Sequence, residues 1–311
     1  MAAHVIEWSE PPPSLCRGGA VSIGNFDGVH RGHVALVEDL RRHARAVAGP
    51  AVALTFDPHP LQLLRPEQFQ PPLTVLADRV DCLHGVGVDH VLVLRTTHDL
   101  LRLRAAEFFE RIVREGLAGR AVVEGSNFGF GRDREGDVAM LRALCERHGI
   151  ASIVVPPLLI DGIPVSSSRV RNCVTGGKAW EAAVLLGRPY RLRGLVGTGQ
   201  RRGQTLGFPT ANLERVETAV PGDGVYAVRV LVDGKSWPGA ANVGPNPTFS
   251  EKARKIEAHL IDFHGDLYGR PLAVDFLERL RGTRPFANVT DLRKQLTEDV
   301  RQARRIAGAT A

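Results

Sequence analysis

Short apolar runs alternate with amphipathic stretches through the first part of the chain. The runs over residues 20–23, 51–56, 91–94, 121–124 and 150–155 are almost wholly apolar, the pattern of strands buried on both faces. Between them, residues 35–47, 105–114 and 138–148 place apolar side chains three and four positions apart, which predicts helices laid on a sheet. This alternation predicts an open α/β domain with a parallel sheet.

The texture changes near Gly187, where Arg188-Pro189-Tyr190 follows the apolar segment 182–186. Beyond it, strand-like runs over 192–196, 225–232, 256–262 and 272–280 are separated by Gly, Pro and Asn clusters. Asp233-Gly234 is a tight-hairpin signal. A small antiparallel β-barrel is the natural reading. Helical spacing returns over 289–306, with Leu292, Leu296, Val300 and Ala303 on one stripe and Asn288 as the N-cap, so a terminal helix is expected on the barrel. The expected domains are residues 1–187, α/β, and 188–311, β.

Composition narrows the chemistry. At 311 residues, 43% hydrophobic and 24% charged, the chain suits two globular cores. The net charge of +6 comes mostly from dispersed Arg, with no Lys/Arg run or RNA-binding aromatic signature. That argues against nucleic acid and for anionic small molecules. Cys16, Cys82, Cys145 and Cys173 lie far apart and show neither a CxxC pair nor a Cys/His ligand cluster, so reduced thiols are expected. With no leader pattern and no apolar stretch of about 20 residues, the expected location is cytoplasmic, away from membranes. The sequence leaves the oligomeric state open.

The strand at 20–23 runs into Gly24-Asn25-Phe26-Asp27-Gly28-Val29-His30-Arg31-Gly32-His33, after which a helix is predicted. A strand, a glycine turn and a helix start together form an anion site, because free backbone N–H groups point outward and glycines admit phosphate. His30 and His33, three apart, share one side of the first turn, where ring N–H groups can stabilise phosphate charge in a transition state. No Walker A loop is present, which argues against terminal phosphate transfer here. The HxGH pattern resembles the nucleotidyltransferase superfamily, in which the α-phosphorus is attacked and pyrophosphate leaves. Ser166, Ser167 and Ser168 open another predicted helix, and Arg171 supplies a guanidinium suited to triphosphate oxygens, so this segment reads as a second wall of an ATP site. Asp57, in Thr55-Phe56-Asp57-Pro58-His59-Pro60, and Asn127 and Phe128, in the loop 125–131, follow strands, where open sheets bind ligands.

The barrel half opens with a glycine-rich run that includes Gly199, Gly203 and Gly207 and continues into Phe208-Pro209-Thr210-Ala211-Asn212. The glycines suit a flap over phosphates, and Thr210 and Asn212 offer oxygens for Mg²⁺ held with a nucleotide. Glu257 alternates with apolar residues in Ile256-Glu257-Ala258-His259, where a carboxylate can accept the proton of a hydroxyl attacking a γ-phosphate.

In order and over nearly the whole chain these motifs resemble the bacterial bifunctional riboflavin kinase/FAD synthetases. The resemblance implies a Rossmann-like nucleotidyltransferase domain that turns FMN and ATP into FAD and pyrophosphate. It also implies a barrel domain that turns riboflavin and ATP into FMN and ADP. It assigns Glu257 as the kinase base, and His30, His33 and Arg171 as transition-state stabilisers. Gly24, Asn25, Phe26, Asp27, Ser166, Ser167, Ser168, Gly199, Gly207, Thr210 and Asn212 fall to nucleotide binding, with Mg²⁺ at Thr210 and Asn212. Flavin falls to Asp57, Asn127, Phe128 and Arg281. Thr283 and Ser126 stand in segments where the family often carries an acidic residue. The alternatives are a chain with one of the two activities, an RNA-directed protein and a flavin-binding module without catalysis.

Overall fold

The computed structural model describes residues 3–197, 208–246 and 251–309. The chain divides into two compact units, one of Met1–Gln70 with Val75–Ser166 and the other of Pro71–Thr74 with Ser167–Ala311.

In the first unit, β1 (His4–Ile6), β2 (Ala20–Ile23), β3 (Ala51–Asp57), β4 (His90–Arg95), β5 (Ala121–Gly125) and β6 (Ala151–Val155) form a parallel sheet in the order β1-β4-β3-β2-β5-β6. The continuous apolar runs follow from two cores, one on each face. Val21, Val52, Leu54, Leu92 and Leu94 face one core, and Ala20, Ala53, Val91 and Val93 face the other. Helices α1 (Arg31–Ala46), α2 (Pro60–Leu64), α3 (Leu76–Gly85), α4 (His98–Arg102), α5 (Ala105–Phe108) and α6 (Val138–Arg147) join the strands. The stretch Phe109–Gly116 extends α5 with π spacing. Only three residues long, β1 was invisible to periodicity; it is an edge strand paired with β4. A small hairpin of β7 (Leu159–Ile160) and β8 (Ile163–Pro164) follows the sheet.

In this order, β3 and β4 lie on one side of β2 and β5 and β6 on the other, so the connections change direction between β2 and β5. Ligands of open parallel sheets bind beyond the strand ends at such a switch point.

The second unit begins with α7 (Ser167–Thr175) and α8 (Ala179–Leu186), so the seam at Ser166–Ser167 precedes the Gly187 boundary read from the sequence. The physical reason is that α8 packs against α7 and against barrel strands. Gly187 ends α8 in the left-handed conformation that glycine adopts without penalty.

The barrel closes in the order β10-β13-β12-β11-β14-β9, from β9 (Tyr190–Gly197), β10 (Ala211–Glu214), β11 (Gly224–Val232), β12 (Lys235–Asn246), β13 (Glu251–Leu260) and β14 (Pro271–Arg281). Asp233 and Gly234, with φ of 50° and 74°, form the two-residue turn that pairs Val232 with Lys235. The terminal helix α9 (Val289–Ala309) starts at Asn288, whose Oδ1 accepts the Asp291 N–H at 2.9 Å, and it buries Ala303 against Ala227 and Ile261.

Candidate active sites

At the end of β2 the chain makes a tight turn. Phe26 and Val29 adopt φ of 46° and 39°, in a region that side-chain-bearing residues rarely visit, at a cost on the order of 1–3 kcal/mol each. Their burial in the core beside α1 holds them there.

His30 then caps α1, its Nδ1 accepting the His33 N–H at 3.3 Å. The two imidazoles stack with centroids 3.7 Å apart and planes 15° apart, and Phe26 meets His33 edge-on at 5.3 Å. Gly32 leaves the stack room. A Cβ there would lie 3.1 Å from the His30 ring and 3.3 Å from the Val165 carbonyl oxygen. That contact also brings Ser166, the next residue, to the HxGH turn.

Two groups missed by the sequence reading underlie this turn. Arg79 of α3 is buried, and its Nη1 donates to Thr55 Oγ1 and to the Phe56 carbonyl, each at 3.3 Å. Thr55 Oγ1 in turn donates to the Asn25 carbonyl at 3.3 Å. Burial lowers the pKa of Arg79, and the nearby carboxylates of Asp27 and Asp57 oppose the shift. Asp27 is itself buried whereas Asp57 is exposed. Glu124 of β5 is the second group. It is almost wholly buried, its Oε1 accepts the Ile23 N–H at 2.5 Å, and burial pushes its carboxyl pKa well above the ordinary value. A charged residue within an apolar strand pattern was the available signal for Glu124. Arg79 sits in an amphipathic helix, where Arg is ordinarily solvated.

Of the other expected residues, Ser126 and Asn127 are exposed beyond β5. Phe128 stacks on Phe130 with centroids 5.3 Å apart and packs on the core. Ser167, Ser168 and Arg171 belong to α7 in the second unit, where Arg171 Nε donates to the Pro71 carbonyl at 3.2 Å.

In the barrel, register does what the sequence could not show. Glu257 pairs with Asn212 on β10 and with Asn242 on β12, so the three stand side by side on one rung. All three are half-buried and alternate with buried neighbours, which places them on the outward face of the barrel. Asn242 was not singled out from the sequence, because β12 carries Gly and Pro and gives no strand signal. His259 lies two residues beyond Glu257. Its Nδ1 is 2.8 Å from the Pro209 carbonyl and its ring meets Phe208 edge-on, tying the segment before Thr210 to β13. Gly199 and Gly207 lie outside the described residues. Arg281 forms a two-pronged ion pair with buried Asp299 of α9, its shortest contact 2.7 Å.

An HxGH turn at the switch point of a parallel sheet, followed by a barrel that sets a carboxylate beside amide groups, defines a two-domain phosphotransferase with an adenylylating half and a kinase half. Family models agree with this division: the FAD synthetase model matches residues 13–169 and the riboflavin kinase model residues 186–307. The chain belongs to the family of bifunctional riboflavin kinase/FMN adenylyltransferases. It is 40% identical to the member from Pseudomonas fluorescens, over 95% of each chain, and 35% identical to that of Escherichia coli K12, over 97% of this chain and 96% of that one. A solved structure from Streptococcus pneumoniae, described as a macrolide-efflux protein, is similar with a TM-score of 0.87 at 31% identity, covering 98% of this chain and 99% of the other. Among the described residues, no helix is long and apolar enough to cross a membrane.

Proposed function

We propose that the two activities of the family divide between the turn at residues 24–33 and the rung of Asn212 and Glu257, with the functional boundary at Gly187. The observation that carries the division is the stacked pair His30 and His33 at the switch point, a site with no counterpart in the barrel rung.

In the first half, a phosphate oxygen of FMN attacks the α-phosphorus of ATP, and pyrophosphate leaves. The ring N–H groups of His30 and His33, with the backbone N–H groups of the turn, stabilise the charge that builds on the phosphate oxygens. Gly24 and Asn25 line the approach, buried Asp27 and Arg79 fix the turn from beneath, and Asp57 and Asn127 orient FMN.

In the second half, the Glu257 carboxylate takes the proton from a riboflavin hydroxyl as that oxygen attacks the γ-phosphorus, and ADP leaves. Neutral oxygens of Thr210 and Asn212 beside a carboxylate are a donor set that fits a hard cation. Mg²⁺ bound there would neutralise phosphate charge. Four cysteines without a disulfide among the described residues suit the reducing cytoplasm as the place of work.

The test is a time course with flavin-free protein, riboflavin, ATP and Mg²⁺. FMN should appear before FAD. His33→Ala should stop FAD formation and spare FMN formation, whereas Glu257→Ala should do the reverse when FMN is supplied. Loss of both activities in either variant overturns the division.

A further inference from the structure

The sequence shows no Cys/His ligand spacing, yet the fold assembles such a cluster from three segments. His4 opens β1, Cys16 lies in the single turn Ser14–Cys16, and His90 opens β4. Their donor atoms all lie within 4.8 Å of one another. The parallel register explains the meeting: His4 pairs with Leu92, so His4 and His90 lie on the face that carries Leu92, and Cys16 packs into the core of that face. The cluster lies at the amino-terminal edge of the sheet, the edge opposite the HxGH turn.

The geometry points to a metal site for Zn²⁺ at His4, Cys16 and His90. Two imidazole nitrogens and one thiolate form a borderline-to-soft donor set that suits Zn²⁺ and disfavours Mg²⁺ and Ca²⁺, which take oxygen ligands. Donors around tetrahedral Zn²⁺ stand about 3.5 Å apart, given bonds of about 2.0–2.3 Å, so binding would draw the three donors in from their present spacing. Cys16 is fully buried while both histidines are half-buried, so the cluster reaches solvent through the imidazoles. On binding, the S–H bond breaks, a Zn–S bond forms with the thiolate pair, and the proton passes to solvent. The bound ion would tie the first sixteen residues to β4.

The test uses the full chain stripped with a chelator and then titrated with Co²⁺ as a spectroscopic probe, followed by Zn²⁺. The expected result is one equivalent bound with a thiolate-to-cobalt charge-transfer band that Zn²⁺ abolishes. Cys16→Ser should lose the band, and His4→Gln and His90→Gln should each weaken binding by about tenfold or more. Should Cys16→Ser fail to fold, His4→Gln decides, because His4 sits at the sheet edge and circular dichroism can verify its fold. Absence of the thiolate band in the wild-type chain, or undiminished affinity in His4→Gln, overturns the assignment.

Discussion

Glu124 accepts the backbone N–H of Ile23 at 2.5 Å, one residue before the glycine that begins the HxGH turn. The pairing of β2 with β5 runs only through Ala20–Ala121 and Val21–Val122, so this side chain takes over where the ladder stops. The sheet can therefore open at its switch point without leaving a buried N–H unpaired, which would cost about 1–3 kcal/mol.

Burial raises the Glu124 pKa well above 4.5, with the Ile23 hydrogen bond opposing. Below the unfolded value both states carry the proton, and the contribution of the neutral acid is fully present. As pH rises from there towards the raised folded value, the native state retains a proton that the unfolded chain has lost, so stability falls through that window and levels off above it. Glu124→Gln keeps an acceptor for Ile23 and removes the titration. Thermal melts from pH 4.5 upward should show the variant gaining on the wild-type chain as pH rises. Parallel curves would mean that Glu124 does not titrate in this way.

Gly32→Ala separates the geometry of the histidine stack from stability. An added Cβ would lie 3.1 Å from the His30 ring and 3.3 Å from the Val165 carbonyl oxygen, so the ring or the loop must shift by a few tenths of an ångström. Alanine favours a helix over glycine by about 1 kcal/mol, so the melting temperature should hold or rise. Misplacement of a transition-state group costs up to about 10²-fold in rate. FAD formation from FMN should fall by about tenfold or more while FMN formation from riboflavin is unchanged, and assaying both steps on one preparation gives the comparison.

The sheet strands other than β1, the barrel class, the hairpin at Asp233-Gly234 and the terminal helix were legible because each follows from local periodicity or turn chemistry. What stayed hidden depends on pairing. The proximity of Asn242 to Glu257 exists only through the β12–β13 register, and the meeting of His4, Cys16 and His90 only through parallel pairing of β1 with β4. Arg79 was hidden for another reason: Arg is ordinarily solvated, and only the packing of α3, itself not read from the sequence, turns this one inward to Thr55. The stack of Phe128 on Phe130 was equally beyond the sequence, because it depends on how the loop after β5 folds back.

Arg79→Met removes the buried donor that braces Thr55 and the Phe56 carbonyl, and it leaves Asp27 and Asp57 without the cation between them. Hydrogen bonds to charged groups contribute about 1.5–3 kcal/mol, and a loss of that order is expected in urea unfolding. The apparent KM for ATP in FAD formation should rise, with the kinase step unaffected. Arg79→Lys should restore part of the stability, since it returns the charge but not the fork geometry. Equal KM values in all three proteins would remove Arg79 from the site.

Arg281 can serve flavin binding, barrel stability or both, and the ion pair with Asp299 supplies the means to tell them apart. Asp299 is buried and Arg281 half-buried, with Gln295 also donating to Asp299 at 2.9 Å. Breaking a buried pair by removing one partner leaves an uncompensated charge and costs about 3–5 kcal/mol, whereas replacing both partners by apolar residues of similar volume is often close to neutral. Asp299→Ala should therefore lower the stability of the kinase half markedly, and the double variant Arg281→Met with Asp299→Leu should recover most of it. If the guanidinium also contacts the flavin, the recovered double variant keeps a raised KM for riboflavin at an unchanged KM for ATP. A double variant with both wild-type stability and wild-type KM would confine Arg281 to holding α9 on the barrel.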